Sequence, residues 1–321
     1  MLPVGNKGTT VTVGTFDGVH PGHHAVLMEI VRRASASGRK SVLVTFEPHP
    51  LEVVNPAAAP PLLTTGPERR EVLAQIDLDY VVFLRFDRRL AGLSPETFVR
   101  EVLEQRLQMR ELVIGHDHGF GRGRSGDANT LRRLGESDGF AVDVVDVVQL
   151  GGHDISSTAI RRAVAGGDLR TAHRLLGRPY TLSGRVVRGD GRGRTIGIPT
   201  INVGDYPDRK LLPPDGVYAA RVEWAGGCAG GMLNQGPKPT FGKMRRGVEV
   251  HLFGVNADLY GQWVRVEWVE RLRDVTRFGS VGELTQQLER DRVAAQDALR
   301  AAGVPDESHS RDTRLDGPRP A

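Results

Sequence analysis

Two hydrophobic rhythms divide the chain. From residue 9 to 150, apolar runs alternate with helical stripes. TTVTVG (9–14), SVLVTF (41–46), YVVFLRF (80–86), ELVIG (111–115) and FAVDVVDVV (140–148) are short and rich in β-branched residues, as strands are. Between the first two, Leu27, Ile30, Val31 and Ala34 fall at i, i+3, i+4 and i+7, one face of a helix. LSPETFVREVLEQRL (93–107) opens with Ser94 as an N-cap and Pro95 at the first helical position, which predicts a second helix. Apolar strands separated by helices predict a parallel sheet covered on both faces, an α/β fold.

Near residue 178 the rhythm changes. TLSGRVVRG, GVYAARVEWAGG, GVEVHLFGV and LYGQWVRVEWVERL are short alternating segments with Gly-rich turns and no helices between them. They predict an antiparallel sheet or small barrel. A last helix is expected from Ser280, where Ser280 and Glu283 form a capping box and Val281, Leu284 and Leu288 give an apolar face. The tail PDESHSRDTRLDGPRPA (305–321) is polar and Pro-containing, the composition of disorder. The expected organisation is an α/β domain over 1–178, a β domain over 179–304 and a disordered tail over 305–321.

Composition narrows the function classes. The 321 residues include one cysteine, Cys228, so no intrachain disulfide forms and a four-cysteine zinc site is excluded. The N-terminal segment lacks the apolar core of a signal peptide. No run reaches the ~18 apolar residues of a membrane span. A cytoplasmic protein without a membrane partner is expected. The net charge is +4 with only 6% aromatic residues, and the basic residues are scattered. That disfavours nucleic acid and suits phosphorylated small molecules. Oligomeric state is not legible.

The stretch GTFDGVHPGH (14–23) follows the first strand and leads into the first helix. Ligands of parallel α/β sheets sit beyond the carboxyl ends of strands. Gly14, Gly18 and Gly22 allow close backbone approach, and a helix N-terminus offers free N–H groups to an anion. His20 and His23 there can donate to phosphate oxygens or stabilise a leaving pyrophosphate. A metal pair is the alternative, but HEXXH enzymes space their histidines at i and i+4 around a Glu, whereas Pro21 and Gly22 intervene here. Two solvated loop histidines is the plain reading. ISSTAIR (155–161) has the same ambiguity: Ser156, Ser157, Thr158 and Arg161 suit a phosphate cradle, and equally an ordinary N-cap.

The second domain has its own candidates. In GRVVRGDGRGRTIGIPTIN (184–202), Gly189, Gly191 and Gly193 alternate with Arg188, Arg192 and Arg194. Such a loop can wrap phosphates, although flexible turns look similar and no P-loop sequence is present. Thr200 and Asn202 are two apart, on one side of an extended segment; their oxygens suit Mg²⁺, or merely cap a turn. Glu249 stands on the strand face opposite Val248 and Val250, placed to accept a proton from an alcohol or simply to meet solvent.

Taken in order, GTFDGVHPGH, FEPHP (46–50), GHDHGFGRGRSGD (115–127) and ISSTAIR resemble the N-terminal domain of the prokaryotic bifunctional riboflavin kinase/FAD synthetase family. G-x-G-R-x-x-G-x-P-T-x-N, PPDGVYA (213–219), NQGPKPTFG (234–242), VEVHL (248–252), LYG (259–261) and Arg273 with Phe278 are similar to its riboflavin kinase domain. The resemblance covers about residues 9 to 303. It implies a Rossmann-like nucleotidyltransferase domain followed by a small antiparallel β-barrel of riboflavin kinase type with a C-terminal helix. It implies that Gly14, Phe16, Asp17, His20, His23, Ser156, Ser157, Thr158 and Arg161 surround the nucleotide of the adenylyltransferase, with His20 and His23 catalytic. Asp117, His118 and Phe120 fall on its flavin side; the family usually has an aromatic where His118 stands. In the kinase it implies Gly189, Gly191, Gly193, Arg194, Thr200 and Asn202 at the nucleotide, Thr200 and Asn202 at Mg²⁺, Glu249 as catalytic base, and Arg273 and Phe278 at the flavin. Ile201 replaces a common alanine. The implied activity is ATP-dependent phosphorylation of riboflavin to FMN, then adenylylation of FMN to FAD with release of pyrophosphate. Three alternatives stand beside it: a riboflavin kinase with an inactive N-terminal domain, a nucleotidyltransferase with another acceptor, and a flavin- or RNA-binding regulator.

Overall fold

A computed structural model describes residues 7–115, 126–146, 149–150, 153–191, 193, 196–240 and 243–304. Its contacts divide into two compact units, Met1–Ser157 and Thr158–Ala321.

In the first unit, β1 (Thr9–Val13), β2 (Lys40–Glu47), β3 (Tyr80–Arg85), β4 (Met109–Gly115) and β5 (Ala141–Val145) form one sheet in the order β3-β2-β1-β4-β5. Every pairing is parallel. Helix α1 (Pro21–Ser37) follows β1, α2 (Pro50–Val54) and α3 (Gly66–Leu73) separate β2 from β3, α4 (Arg88–Ala91) and α5 (Pro95–Phe98) separate β3 from β4, and α6 (Ala128–Asp138) precedes β5. The apolar runs have a simple cause. Val11, Val13, Val42, Val44 and Ile114 pack with Phe98, Leu103 and Leu131 on one face; Leu43 and Val113 pack with Leu27, Ile30 and Leu73 on the other. Each such side chain contributes about 1.5–3 kcal/mol of burial. The strand order turns back on itself at β1 and β4, so residues 14–20 leave the sheet at its switch point, the place where open α/β sheets bind their ligands. A two-stranded ribbon, β6 (Gln149–Leu150) with β7 (His153–Asp154), closes the unit.

The helix expected over 93–107 begins as predicted, with Ser94 Oγ accepting from Thr97 N at 3.2 Å. It does not remain α-helical: α5 ends at Phe98 and Val99–Glu104 continues as a wider π-helical turn. Phe98, Val99, Val102 and Leu103 are all buried, so the widened turn still serves the core.

The second unit begins within α7 (Ser157–Ala165) and continues through α8 (Leu169–Leu176). Both helices fall within the 1–178 domain read from sequence. Then come β8 (Thr181–Val187), β9 (Ile201–Gly204), β10 (Gly216–Trp224), β11 (Gly227–Thr240), β12 (Lys243–Leu252) and β13 (Trp263–Arg273), closed as a barrel in the order β10-β11-β12-β9-β8-β13. All neighbours are antiparallel, and closure removes unpaired edges. Val222, Val248, Val250, Val264, Val266 and Trp268 are buried.

The final helix, α9 (Val281–Ala301), starts after Ser280. Ser280 Oγ accepts from Glu283 N at 3.2 Å, but the Glu283 carboxylate reaches back to Gly279 N at 2.9 Å, one residue beyond a capping box. The expected apolar face is corrected at its start: Val281 is 66% exposed. The buried stripe is Asp291, Ala295, Ala298 and Leu299. The helix therefore docks through its C-terminal half, not its first turn.

Candidate active sites

The first-unit candidate is the turn from β1 to α1. His20 is the N-cap of α1 with Pro21 at the first helical position. Its Nδ1 accepts from His23 N at 3.3 Å, so Nδ1 carries no proton and the neutral ring presents Nε2–H as a donor, an assignment from the hydrogen-bond network. The two imidazoles stack at 3.7 Å and 17°, and the Phe16 ring lies 4.8 Å from His23. The i+3 spacing thus makes a cap and a stacked pair.

The turn is strained. Phe16 has φ 48° and Val19 φ 40°, left-handed values that L-residues avoid and β-branched ones avoid most. Such conformations cost about 1–3 kcal/mol each and persist only where surroundings over-determine them. Both side chains are buried. A Cβ at Gly14 would meet the Phe16 ring at 2.9 Å, which explains that glycine.

Asp17 turns inward. It is 2% exposed; Oδ2 accepts from Leu63 N at 3.0 Å, and Oδ1 from Thr64 N at 2.8 Å and Thr64 Oγ1 at 3.0 Å. Ser157 Oγ donates to Asp17 O at 2.8 Å, so the start of α7 is tied to the turn. Ser156 and Arg161 are half-buried and Thr158 is exposed. Arg69 donates from Nη1 to Thr15 O at 2.7 Å and from Nη2 to Phe46 O at 2.8 Å, linking GTFD to FEPHP. Burial holds its guanidinium below the usual value, opposed by the charges of Glu47 and Asp17. Asp117, His118 and Phe120 lie outside the described residues.

In the second unit, strand register builds the candidate. Glu249 on β12 pairs directly with Asn202 on β9 and with Asn234 on β11. Directly paired residues project to the same side, so three polar side chains form one row while Val248 and Val250 are buried. A Cβ at Gly189 would fall inside the Asn202 amide, and one at Gly193 on the Ile198 carbonyl. Only glycine lets the loop lie this close over Asn202. At the loop's start, the Arg188 guanidinium stands 5.4 Å from the centre of the Tyr260 ring. Gly191 is exposed and Thr200 half-buried; Arg194 lies outside the described residues.

Arg273 stands at the end of β13. Nε and Nη2 form a bidentate pair with Asp291 at 2.8 and 2.6 Å, and Nη1 donates to Asp274 O at 2.8 Å. Asp291 is 3% exposed and also accepts from Gln287 Nε2 at 2.9 Å. The guanidinium lies 5.8 Å from the Phe278 ring centre. The pair therefore pins α9 to β13 and holds the segment carrying Phe278.

Among the residues that sequence did not single out, Thr64, Arg69 and His251 bear on these sites. The only local signal near the first two is the Thr65–Glu68 capping box. His251, two residues beyond Glu249 and on its face, has Nδ1 at 2.8 Å from Pro199 O. A carbonyl only accepts, so Nδ1 donates, anchoring the segment that presents Thr200 and Asn202.

Comparison with known proteins matches each half separately. An FAD synthetase family model matches residues 3–159, and a riboflavin kinase family model matches 176–299. The bifunctional riboflavin kinase/FMN adenylyltransferase of Escherichia coli (strain K12) is 40% identical over 292 residues, covering 91% of this chain and 93% of its own. The protein of that name from Bacillus subtilis (strain 168) is 35% identical over 297 residues, covering 91% and 92%. A solved structure from Streptococcus pneumoniae, named a macrolide-efflux protein, has a TM-score of 0.79 at 31% identity, covering 92% of this chain and 96% of that one. The efflux in that name has no counterpart in either family model. Among the described residues, no helix is long and apolar enough to cross a membrane. With both halves matched in order and relatives aligned almost end to end, this chain belongs to the bifunctional riboflavin kinase/FMN adenylyltransferase family.

Proposed function

We propose that this chain is a two-step transferase that makes flavin coenzymes: the barrel unit phosphorylates riboflavin to FMN and the α/β unit adenylylates FMN to FAD. The observation that carries the kinase reading is the Asn202–Glu249 pair, two motifs 47 positions apart set side by side by strand register. The γ-phosphorus of ATP bonds to the 5′-oxygen of riboflavin, the bond to the β-phosphate oxygen breaks, and Glu249 takes the hydroxyl proton. The Gly189–Gly193 loop covers the phosphates, with Arg194 adding charge. Arg273 acts on the flavin through the segment it holds, and Phe278 offers a ring face.

The residues fit Mg²⁺. Thr200 and Asn202 offer neutral oxygen donors. Such a set suits an ion that shares its remaining ligands with nucleotide phosphates and water. When bound, Mg²⁺ neutralises phosphate charge.

In the α/β unit a phosphate oxygen of FMN attacks the α-phosphorus of ATP and pyrophosphate leaves. An ionised phosphate monoester needs no general base, which accounts for histidines at this turn. His20 Nε2–H and His23 stabilise the charge that builds on pyrophosphate, with the N-terminus of α1 behind them. Ser156, Ser157, Thr158 and Arg161 contribute donors to the nucleotide, and Asp117, His118 and Phe120 face the flavin. The reading places the work in the cytoplasm, with riboflavin, FMN and ATP as the partners. A kinase with an inactive N-terminal domain gains no support, since His20, His23 and the ISSTAIR helix start are intact and the first half matches an FAD synthetase model. Incubation with riboflavin, ATP and Mg²⁺, followed by chromatography, tests the proposal: FMN appears first and FAD follows. FMN alone, with none converted, contradicts the second activity.

A further inference from the structure

We propose that segment 63–69 is a brace that holds the GTFDGVH turn in its working shape, with Thr64, Asp17 and Arg69 as positioning residues for adenylyl transfer. The inference rests on the reading that this turn serves that reaction.

The turn carries two left-handed non-glycine residues, Phe16 and Val19. Within the turn, Val19 N donates to Phe16 O at 3.2 Å. Further support comes from distant chain. Thr15 O accepts from Thr45 Oγ1 at 3.1 Å and from Arg69 Nη1 at 2.7 Å. Gly18 N donates to Thr64 Oγ1 at 3.0 Å. The Asp17 carboxylate accepts from Leu63 N, Thr64 N and Thr64 Oγ1. Thr64 therefore acts at both sides of one peptide unit, receiving the Gly18 amide and donating to Asp17.

The brace is itself fixed. Thr65 caps α3, with Glu68 returning the bond to Thr65 N at 2.7 Å, so Thr64 and Arg69 are carried by one helix start. Arg69 is 6% exposed and forms no ion pair among the described residues. Its Nε is buried without a hydrogen-bond partner there. Its hydrogen bonds go to carbonyls and its guanidinium lies 5.4 Å from the centre of the Phe83 ring; a buried cation without an ion pair is costly to keep, and a simple core position would favour an apolar residue. Here the cation sits behind the turn expected to hold a polyphosphate, and clamps Thr15 and Phe46 together.

The consequence reaches chemistry through His20. Val19 precedes the cap whose Nδ1 receives His23 N. If the brace lets go, Phe16 and Val19 relax toward ordinary φ and the stacked rings lose their aim. Misplacement on the scale of 1 Å can cost ~10²-fold in turnover, so the effect falls on kcat rather than on ATP KM.

The test uses the full-length chain. Thr64→Val keeps the size and removes the hydroxyl; Thr64→Ser keeps the hydroxyl. For Thr64→Val, FMN adenylylation kcat is expected to fall ~10–100-fold with less than a ~3-fold change in ATP KM. Riboflavin phosphorylation, the internal control for protein amount and for the barrel unit, stays unchanged, and the retained ATP KM reports a folded α/β unit. Thr64→Ser should lie within ~3-fold of the parent. The ring signals of His20 and His23 in NMR spectra should move in Thr64→Val and stay in Thr64→Ser. Full adenylylation by Thr64→Val, or equal damage by Thr64→Ser, overturns the brace alone. A parent chain that never converts FMN overturns the functional reading, and unmoved histidine signals in Thr64→Val then overturn the brace as well.

Discussion

The two units assemble their candidate sites by different means. In the barrel, backbone register does the placing: Glu249, Asn202 and Asn234 share a row because β12 lies between β9 and β11. In the α/β unit, side chains do it. A strained turn is held by Asp17, Thr64, Arg69, Thr45 and Ser157, drawn from segments up to 140 positions away. A registered site tolerates loss of a functional side chain without losing its frame. A braced turn is sensitive to residues that never touch substrate.

The sharpest way to break this comparison is Glu249→Gln. It removes the proton acceptor and leaves the ladder intact, so riboflavin phosphorylation should fall by ~10²–10⁴-fold. ATP binding measured by calorimetry should persist, as should conversion of supplied FMN to FAD. Retained turnover would remove Glu249 from its role. Next comes the His20→Ala/His23→Ala double variant. Loss of preorganised donors should slow adenylylation ~10²-fold or more, with phosphorylation unchanged in the same preparation. A smaller effect is expected from Gly189→Ala, whose Cβ would collide with the Asn202 amide. About 1 kcal/mol of strain in the displaced loop corresponds to roughly a fivefold loss of kinase kcat/KM. Parent-like kinetics would show that the loop need not lie over Asn202.

The smallest effect concerns stability. His173 on α8 has Nε2 buried without a hydrogen-bond partner among the described residues, and burial lowers its pKa. As pH falls, the unfolded chain takes up the proton first. The group's contribution is full above its ordinary value of about 6.5 and declines as pH drops from there toward the folded pKa. The Tm of the parent should fall between about pH 7.5 and 5.5 more steeply than that of His173→Leu. Equal slopes would contradict it.

The legible parts of the molecule were those with local causes. Strand runs, the His20–Pro21 helix start and the Ser94 cap follow from neighbours in sequence, and the alternation around Glu249 foretold which face Val248 and Val250 would bury. The rest depends on distant partners. Asp291 sits in the middle of the buried stripe of α9, where periodicity expects an apolar residue; its fit depends on Arg273 on another element. Val281 matched the pattern but lies before the helix meets the barrel. Nothing near Thr64 or Arg69 announces that their bonds run to residues 15, 17, 18 and 46. Asp17 was placed in the site by resemblance, and only the fold shows where its carboxylate points.

The central claim is that one chain carries two independent chemical centres. The most direct test follows riboflavin, ATP and Mg²⁺ through chromatography with Glu249→Gln, the His20→Ala/His23→Ala variant and a mixture of the two. The account predicts that the first makes no FMN yet turns added FMN into FAD, that the second stops at FMN, and that the mixture restores FAD. A mixture that yields no FAD, or a first variant that cannot adenylylate added FMN, would contradict it.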